Sequence, residues 1–252
     1  GLSDYCVPLL GPAAPSSPDV CPALIARIAS VLDDVDLLRL EKMPRDVDGV
    51  PNVLAIDPSA ASSRFVGNRL VVATTVRDFI ASRGKKYRKE AERSHRRLAD
   101  MGKVSFGRAT TVAEIDEAYR ALEAWQSARH REAGHDYWLD RPEISQFYRN
   151  VLVNGLRDGQ AGLFALRVDG VLVAVLLGVT YRTTFTLLRI SDAGEPWRHC
   201  SPGRLIVLDT MHYLADQGVR TFDMGIGDYP FKRWIGCAPY NLYELEVAMR
   251  WK

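Results

Sequence analysis

Apolar residues recur every three to four positions in some stretches of the chain and every second position in others, and these two periods separate helices from strands. Leu24, Ile25, Ile28 and Leu32 predict a short amphipathic helix over 22–32, after a Pro-, Ser- and Ala-rich stretch at 8–22 that reads as loop. Strands are expected over 36–40 and 68–75, then a long helix over 76–97 ending near Gly102. From Lys103 onward the pattern is regular. KVSFGR at 103–108 alternates as a strand does. Val112, Ile115, Ala118, Leu122 and Trp125 then repeat at helical spacing behind Thr111 and Glu114, which are placed as a capping box. A further helix is expected over 142–156, with Asp140 or Arg141 near its cap. Apolar runs at 163–167 and 171–179 flank Asp169-Gly170, a dipeptide that tolerates the positive φ angles of a tight hairpin. Strands at 183–190, 220–223 and 242–250 and a helix at 201–217 complete the pattern. The order from 103 is β-α-α-β-β-β-α-β-loop-β, which suits a mixed sheet covered by helices.

Composition narrows the class. No stretch approaches the roughly 20 apolar residues of a membrane helix, and no basic-then-apolar leader opens the sequence, so the chain reads as cytoplasmic with no membrane span. Cys6, Cys21, Cys200 and Cys237 are scattered without zinc-ligand spacing; free thiols and no metal are expected. The net charge of +2 hides a basic run at 83–97, where eight Lys or Arg between Arg83 and Arg97 face Glu90 and Glu92. That run carries +6, leaving −4 for everything else, so the basicity belongs to one element.

The chemistry concentrates in CSPGRLIVLDTMHYLADQGVRTFDMGIGDYPFKRWIG at 200–236. Ser201 fits an N-cap, and Pro202 fits the first turn, where its missing N–H is no loss. Gly203 leaves no side chain over the turn's amides. Such a helix start suits an anion, because free N–H groups and the helix dipole both favour negative charge, and Arg204 adds a cation. The bland alternative is a well-capped buried helix, with Leu205, Ile206, Val207, Leu208, Met211 and Leu214 as its apolar sides.

SPGRLIVLDT, the helix ending at Gly218, FDMGIGDY and FKRWIG together resemble the CelD-like, BioF2-like acyltransferase family of GNAT domains, which is related to the FemAB-type peptidoglycan aminoacyltransferases. The matching positions are Ser201, Pro202 and Gly203; Phe222 and Asp223; Gly227 and Asp228; and Phe231, Lys232 and Trp234. RRLADMGKVSF resembles the family's mid-chain helix and strand. Phe231 stands where the family usually has Tyr, with Tyr229 two positions earlier. The usual GNAT pyrophosphate loop is missing, and the Ser-Pro-Gly start would replace it. The resemblance implies a GNAT-like α/β (α+β) fold: a mixed, mostly antiparallel sheet flanked by helices over 103–252, preceded at 1–102 by a partial second GNAT-like half containing the basic helix.

It further implies an N- or O-acyltransferase that uses acetyl-CoA or another acyl-CoA (or acyl carrier protein) as co-substrate. The acceptor would be an amine or hydroxyl of a small molecule, such as a sugar or amino acid, or of a polysaccharide precursor. The donor's pyrophosphate would sit on Ser201, Pro202, Gly203, Arg204 and Leu205, and Asp228, Lys232 and Tyr229 would form the catalytic group. Asp228 or Asp223 is the candidate base, with Asp223 weighed against an anchoring role in the Gly-rich loop. Lys232, framed by Tyr229, Phe231 and Trp234, is read either as an oxyanion or acidic-acceptor ligand or as a surface lysine covering the rings. His212 is expected to be a satisfied core histidine, and His199 and Cys200 to be loop residues. The run 83–97 is read as a solvated face, against a polyanion site for RNA, CoA phosphates or an acidic glycan. Two rival functions stay open: a FemAB-like transferase using aminoacyl-tRNA, and a non-catalytic GNAT-fold binding module.

Overall fold

In the computed structural model, residues 4–7, 14–32, 35–47, 49–72, 76–227 and 229–249 are described. In chain order the elements are α1 (Cys21–Ala29), β1 (Leu37–Met43), β2 (Asp46–Val47), β3 (Val50–Pro51), α2 (Val53–Ile56), β4 (Ala61–Val71), α3 (Val76–Ser82), α4 (Lys85–Asp100), β5 (Val104–Arg108), α5 (Val112–Glu132), α6 (Pro142–Asp158), β6 (Ala161–Val168), β7 (Val171–Tyr181), β8 (Thr184–Asp192), α7 (Pro202–Asp216), β9 (Thr221–Ile226), α8 (Pro230–Ile235) and β10 (Ala238–Ala248). The helix expected over 76–97 is two helices, because Gly84 adopts φ +85° between α3 and α4. The loop expected before the last strand holds α8. β4 begins at Ala61, earlier than the strand expected over 68–75; residues 73–75, like 8–13 of the Pro-rich stretch and Arg250 of the last strand, lie outside the described residues.

The chain forms two units interleaved along the sequence. The larger comprises Leu70–Met224 and Trp234–Gly236; the smaller comprises Gly1–Arg69, Gly225–Arg233 and Cys237–Lys252. The units therefore do not part at residue 102, where the sequence reading placed the boundary: α3 and α4 belong to the larger unit and β10 to the smaller. In the smaller unit β1, β10 and β4 pair antiparallel in that order, and Cys21, Met43, Val53, Leu54, Ala55 and Leu245 form its core.

The larger unit is the mixed, mostly antiparallel sheet flanked by helices that the pattern predicted, in the order β9-β8-β7-β6-β5 with only β8 and β9 parallel. The capping box opens α5: Thr111 Oγ1 accepts from the Glu114 amide, and Glu114 accepts from the Thr111 amide. Arg141 is the cap residue of α6, Pro142 enters its first turn, and Gly159 closes it in the left-handed region. Asp169 and Gly170 take φ +49° and +82°, the paired positive angles of a two-residue hairpin turn.

Residues 173–178 of β7 are buried without interruption, since both faces of this strand are covered. Ile115, Ala118, Leu122, Tyr148 and Leu152 of α5 and α6 pack with Val175 and Leu177. Phe164 and Phe185 meet edge-on beside Tyr213 of α7, and Gly178 leaves room for the Phe185 ring, whose Cζ lies 2.1 Å from where a Cβ would sit. Asp209 of α7 is half-buried, without ion pair or hydrogen bond among the described residues, and burial pushes its carboxyl up to about 7.

Two outcomes follow from this packing. Leu122→Ala, at a fully buried position, lowers unfolding free energy by about 2–5 kcal/mol, read as a reduced urea midpoint at unchanged slope. The folded state holds the Asp209 proton up to pH ~7, whereas the unfolded chain releases it near pH 4. This group therefore makes stability fall between about pH 4 and pH 7 and adds no further loss above that. Asp209→Asn flattens that slope and raises Tm at pH 8; an unchanged pH profile would refute the assignment.

Candidate active site

β8 carries the geometry on which a site can be built. Its parallel register with β9 consists of Thr184↔Thr221, Phe185↔Phe222 and Thr186↔Asp223, and 187–192 continue past the last of these pairs. On its other edge β8 pairs with β7 throughout, but Leu177 faces Arg189 and Gly178 faces Leu187, so Leu188 is an inserted residue. Such a bulge changes which face successive side chains take. Before it Phe185 lies with the α7-side aromatics; after it Arg189 and Ser191 meet α5. The result is a wedge beyond Thr186 with a bulged strand along one side, within the larger unit.

α7 begins just after β8, and its start differs from expectation. Ser201 is the cap residue, but its backbone is left-handed (φ +54°, ψ 52°) and its side chain makes no capping bond. The amides of Arg204 and Leu205 both return to the Ser201 carbonyl, Pro202 is buried and has no N–H, and Leu205 is buried. Among the described residues the Gly203 amide has no partner in the first turn. Beside it stands a carboxylate: Asp192 Oδ2 lies 3.0 Å from where a Gly203 Cβ would project. Asp192 also accepts from the Gly194 amide (3.1 Å), and Arg129 Nη2 approaches it at 3.7 Å. The Arg204 guanidinium is not an open cation. It donates to Glu90 at 3.0 Å and stacks on Trp234 at 4.2 Å, while Trp234 Nε1 donates to the same Glu90 at 3.1 Å. Charge partners that the sequence reading did not contain thus already occupy this helix start.

The second predicted cluster belongs to the smaller unit. Lys232 is only 4% exposed, so it is not a surface lysine; its Nζ donates to the carbonyls of Gly225 (3.1 Å) and Ile226 (2.7 Å) and lies 5.3 Å from the centre of the Tyr229 ring. Asn68 Nδ2 donates to the Gly225 and Gly227 carbonyls, the Ile226 amide donates to Asp4, and the Gly227 amide donates to the Val66 carbonyl. These bonds fix the strand-to-helix loop, and Lys232 acts on its backbone. Tyr229 is exposed, and Asp228 lies outside the described residues. Asp223 is buried within β9.

Other candidates resolve readily. His212 is exposed on α7 rather than in the core. Cys200 is buried with its Sγ 3.4 Å from His199 Nε2, and burial raises its thiol, opposite to an activated nucleophile. No disulfide joins the four cysteines. Among the described residues no cluster has metal-ligand character, and no helix is long and apolar enough to cross a membrane.

A polar cluster that periodicity does not mark lies under α5. Arg189, in a strand that reads as apolar, is 2% exposed. Its Nε donates to Gln126 Oε1 (2.8 Å) and its Nη1 to Tyr119 Oη (2.9 Å), with Glu123 Oε1 at 3.5 Å from Nη1. Burial pushes the phenol groups of Tyr119 and Tyr137 up, so both remain protonated donors. Beyond Tyr137 a cavity of about 430 Å³ opens along the α5–α6 connector, from Arg131 to Arg141.

Comparison with known proteins agrees with this geometry. The family model described as an acetyltransferase (GNAT) domain matches residues 85–233. No curated protein sequence matches the chain. Among solved structures, FemX superposes with a TM-score of 0.62 at 13% identity, covering 90% of this chain and 77% of FemX. The C-terminal domain of a putative lysylphosphatidylglycerol synthetase from Agrobacterium fabrum gives 0.57 at 16% identity, with 90% and 72% covered. L-PGS from Bacillus licheniformis gives 0.57 at 13%, with 90% and 73% covered. At these identities the structural likeness is one of fold, and the match over more than half of the sequence decides the family. The chain belongs to the acetyltransferase (GNAT) domain family.

Proposed function

We propose that this chain transfers an acyl group from acyl-CoA, or from an acyl carrier protein thioester, to an amine or hydroxyl of a small-molecule or saccharide-precursor acceptor. The observation that carries this reading is the β8–β9 pairing, which stops at Thr186↔Asp223 beside the bulge at Leu188. An extended ligand rich in amides, such as the pantetheine arm of CoA, would lie along the unpaired edge of β8. Donors preorganised at the bulge would stabilise the oxyanion formed when the acceptor attacks the thioester carbonyl directly. The acyl–sulfur bond breaks as the new bond forms, the thiolate leaves, and the acceptor's proton passes to a base. Asp228 is proposed as that base from its place after Gly227. Lys232 holds the backbone of the adjoining loop, and Tyr229 lies beside it.

The start of α7 contributes less to phosphate binding in this reading than the residue types suggested, since one amide is unspent and Asp192 stands beside it. The N-terminal part of the chain, residues 1–102, is proposed as the remnant of a second GNAT-like half.

A second reading, in which an aminoacyl-tRNA is the donor, draws support from α4. Lys85, Lys86, Arg88, Lys89, Arg93, Arg96 and Arg97 are exposed along it, and Arg88–Glu92 is its one ion pair of 4 Å or less within the helix among the described residues.

Acetyl-CoA at millimolar concentration is expected to raise Tm, and thiol release should depend on an added amine or hydroxyl acceptor. Absence of both effects with every acyl-CoA tried would overturn the first reading. Asp192→Asn, which removes the carboxylate beside Gly203, should tighten CoA binding about two- to fivefold, the effect of roughly 0.3–1 kcal/mol at a helix end. If the second reading holds, a bulk tRNA preparation binds with an affinity that falls steeply between 50 and 200 mM salt, and Lys85→Glu/Lys89→Glu/Arg93→Glu abolishes it. Binding unaffected by these charge reversals would count against it.

A further inference from the structure

We infer that the cluster beneath α5 is a recognition site for the acceptor, and that this acceptor carries a carboxylate close to an amino group, as an α-amino acid does. The inference rests on the proposed acyl transfer and names the substrate class for it.

The argument starts from an unbalanced network. A guanidinium has five N–H donors in a fixed fork. In Arg189 the Nε donor meets Gln126 and Nη1 meets Tyr119, but Nη2 has no hydrogen-bond partner although the side chain is only 1% exposed. Gln126 has no capacity left to move, since its Oε1 also accepts from Tyr137 Oη and its Nε2 donates to the Ile190 carbonyl (3.1 Å). Tyr119 Oη in turn donates to the Ser145 carbonyl. The carboxylate paired with this guanidinium also has an unspent atom. Glu123 Oε1 is buried, 3.5 Å from Nη1, and makes no hydrogen bond. A buried polar network is favourable when every member is satisfied and unfavourable when half of it is not. Here the unmade bonds are those of Nη2 and of Glu123 Oε1, the latter 3.5 Å from Nη1 of the same guanidinium.

That pair selects its ligand. The planar Nη2 edge matches a carboxylate. Glu123 disfavours a dianion such as phosphate but accepts an ammonium, which must give up a proton to the base before the amine attacks the thioester. A zwitterion adds both partners and no net charge to a desolvated place, where an unbalanced charge is heavily penalised. The rings of Tyr119, Tyr137 and Tyr148 lie 5.5, 5.8 and 5.4 Å from the guanidinium carbon and close the site to water.

Position and access fit the same role. Arg189 directly follows the bulge that opens the wedge on β8. Tyr137 forms part of the wall of the 430 Å³ cavity and also covers the guanidinium. Its hydroxyl donates to Gln126 (3.0 Å) and interacts with Arg189, and its ring stacks on His130 at 4.0 Å. Entry of the acceptor requires this one side chain to turn aside so that the cavity reaches Arg189.

The test compares free L-amino acids with their methyl esters, which keep the amine and lose the carboxylate charge. With acetyl-CoA as donor and thiol release as readout, kcat/KM for the free acid should exceed that for the ester by about tenfold or more, the scale of one charge-assisted hydrogen bond. In Arg189→Met that ratio should fall towards one. Should Arg189→Met fail to fold, Glu123→Gln is the second variant; it should weaken binding of the amino acid while leaving the matching 2-hydroxy acid unaffected. Equal use of acid and ester overturns the carboxylate assignment and leaves acyl transfer standing. Absence of thiol release with every acceptor defeats the proposed activity instead. In that case Tm shifts by amino acids alone, present in wild type and lost in Arg189→Met or Glu123→Gln, still decide this site. No shift in wild type overturns it.

Discussion

A strand can satisfy a neighbour on each edge only while its register holds, and β8 holds one register and abandons the other. Its bonds to β7 continue to Asp192, with Leu188 inserted, whereas its parallel bonds to β9 end after Thr186. The two departures are coupled. An inserted residue increases local twist and turns the following side chains to the other face, which takes β8 away from β9 and at the same time aims Arg189 at α5. Without the bulge the alternation of Phe185 and Leu187 would carry residue 189 towards the aromatic side, with Phe164 and Tyr213, away from its partners on α5. The wedge and the buried arginine are therefore consequences of the same irregularity.

Regular elements were legible in the sequence because their signals are local. The capping box of Thr111 and Glu114, Pro142 in the first turn of α6 and the Asp169-Gly170 turn each lie within a few residues, and the structure has all three. The break at Gly84 was hidden because a helical charge pattern runs on both sides of it. α8 was hidden because six residues are too few for a period to declare itself. The unit boundary escaped for a different reason: β10 pairs with β1 and β4, a long-range choice that no local pattern encodes.

The candidate site was legible only by residue type. Ser201, Pro202, Gly203 and Arg204 have the chemistry of an anion-binding helix start, yet what an amide or guanidinium can bind depends on what it has already bound. Arg204 is matched by Glu90, 114 residues earlier, and Gly203 is approached by Asp192 across the loop that precedes the helix. Lys232 shows the same limit: its aromatic frame was visible, but its ammonium serves the carbonyls of Gly225 and Ile226. In each case the partner, not the residue, sets the function.

Arg189 reverses this logic. Within TFTLLRISD it reads as an ordinary interruption of an apolar strand, and its partners on α5 lie 63 to 70 residues earlier. A fold selected for stability alone would favour an apolar side chain here, because replacing a buried ion pair by well-packed hydrophobic groups is often neutral or stabilising. Keeping a guanidinium with Nη2 unspent near a carboxylate with an unspent oxygen is unfavourable in the folded chain, and a molecule bringing the complementary groups would make good that deficit. The strained part of the network is therefore the part with binding capacity, and its place after the bulge puts that capacity where the wedge on β8 opens.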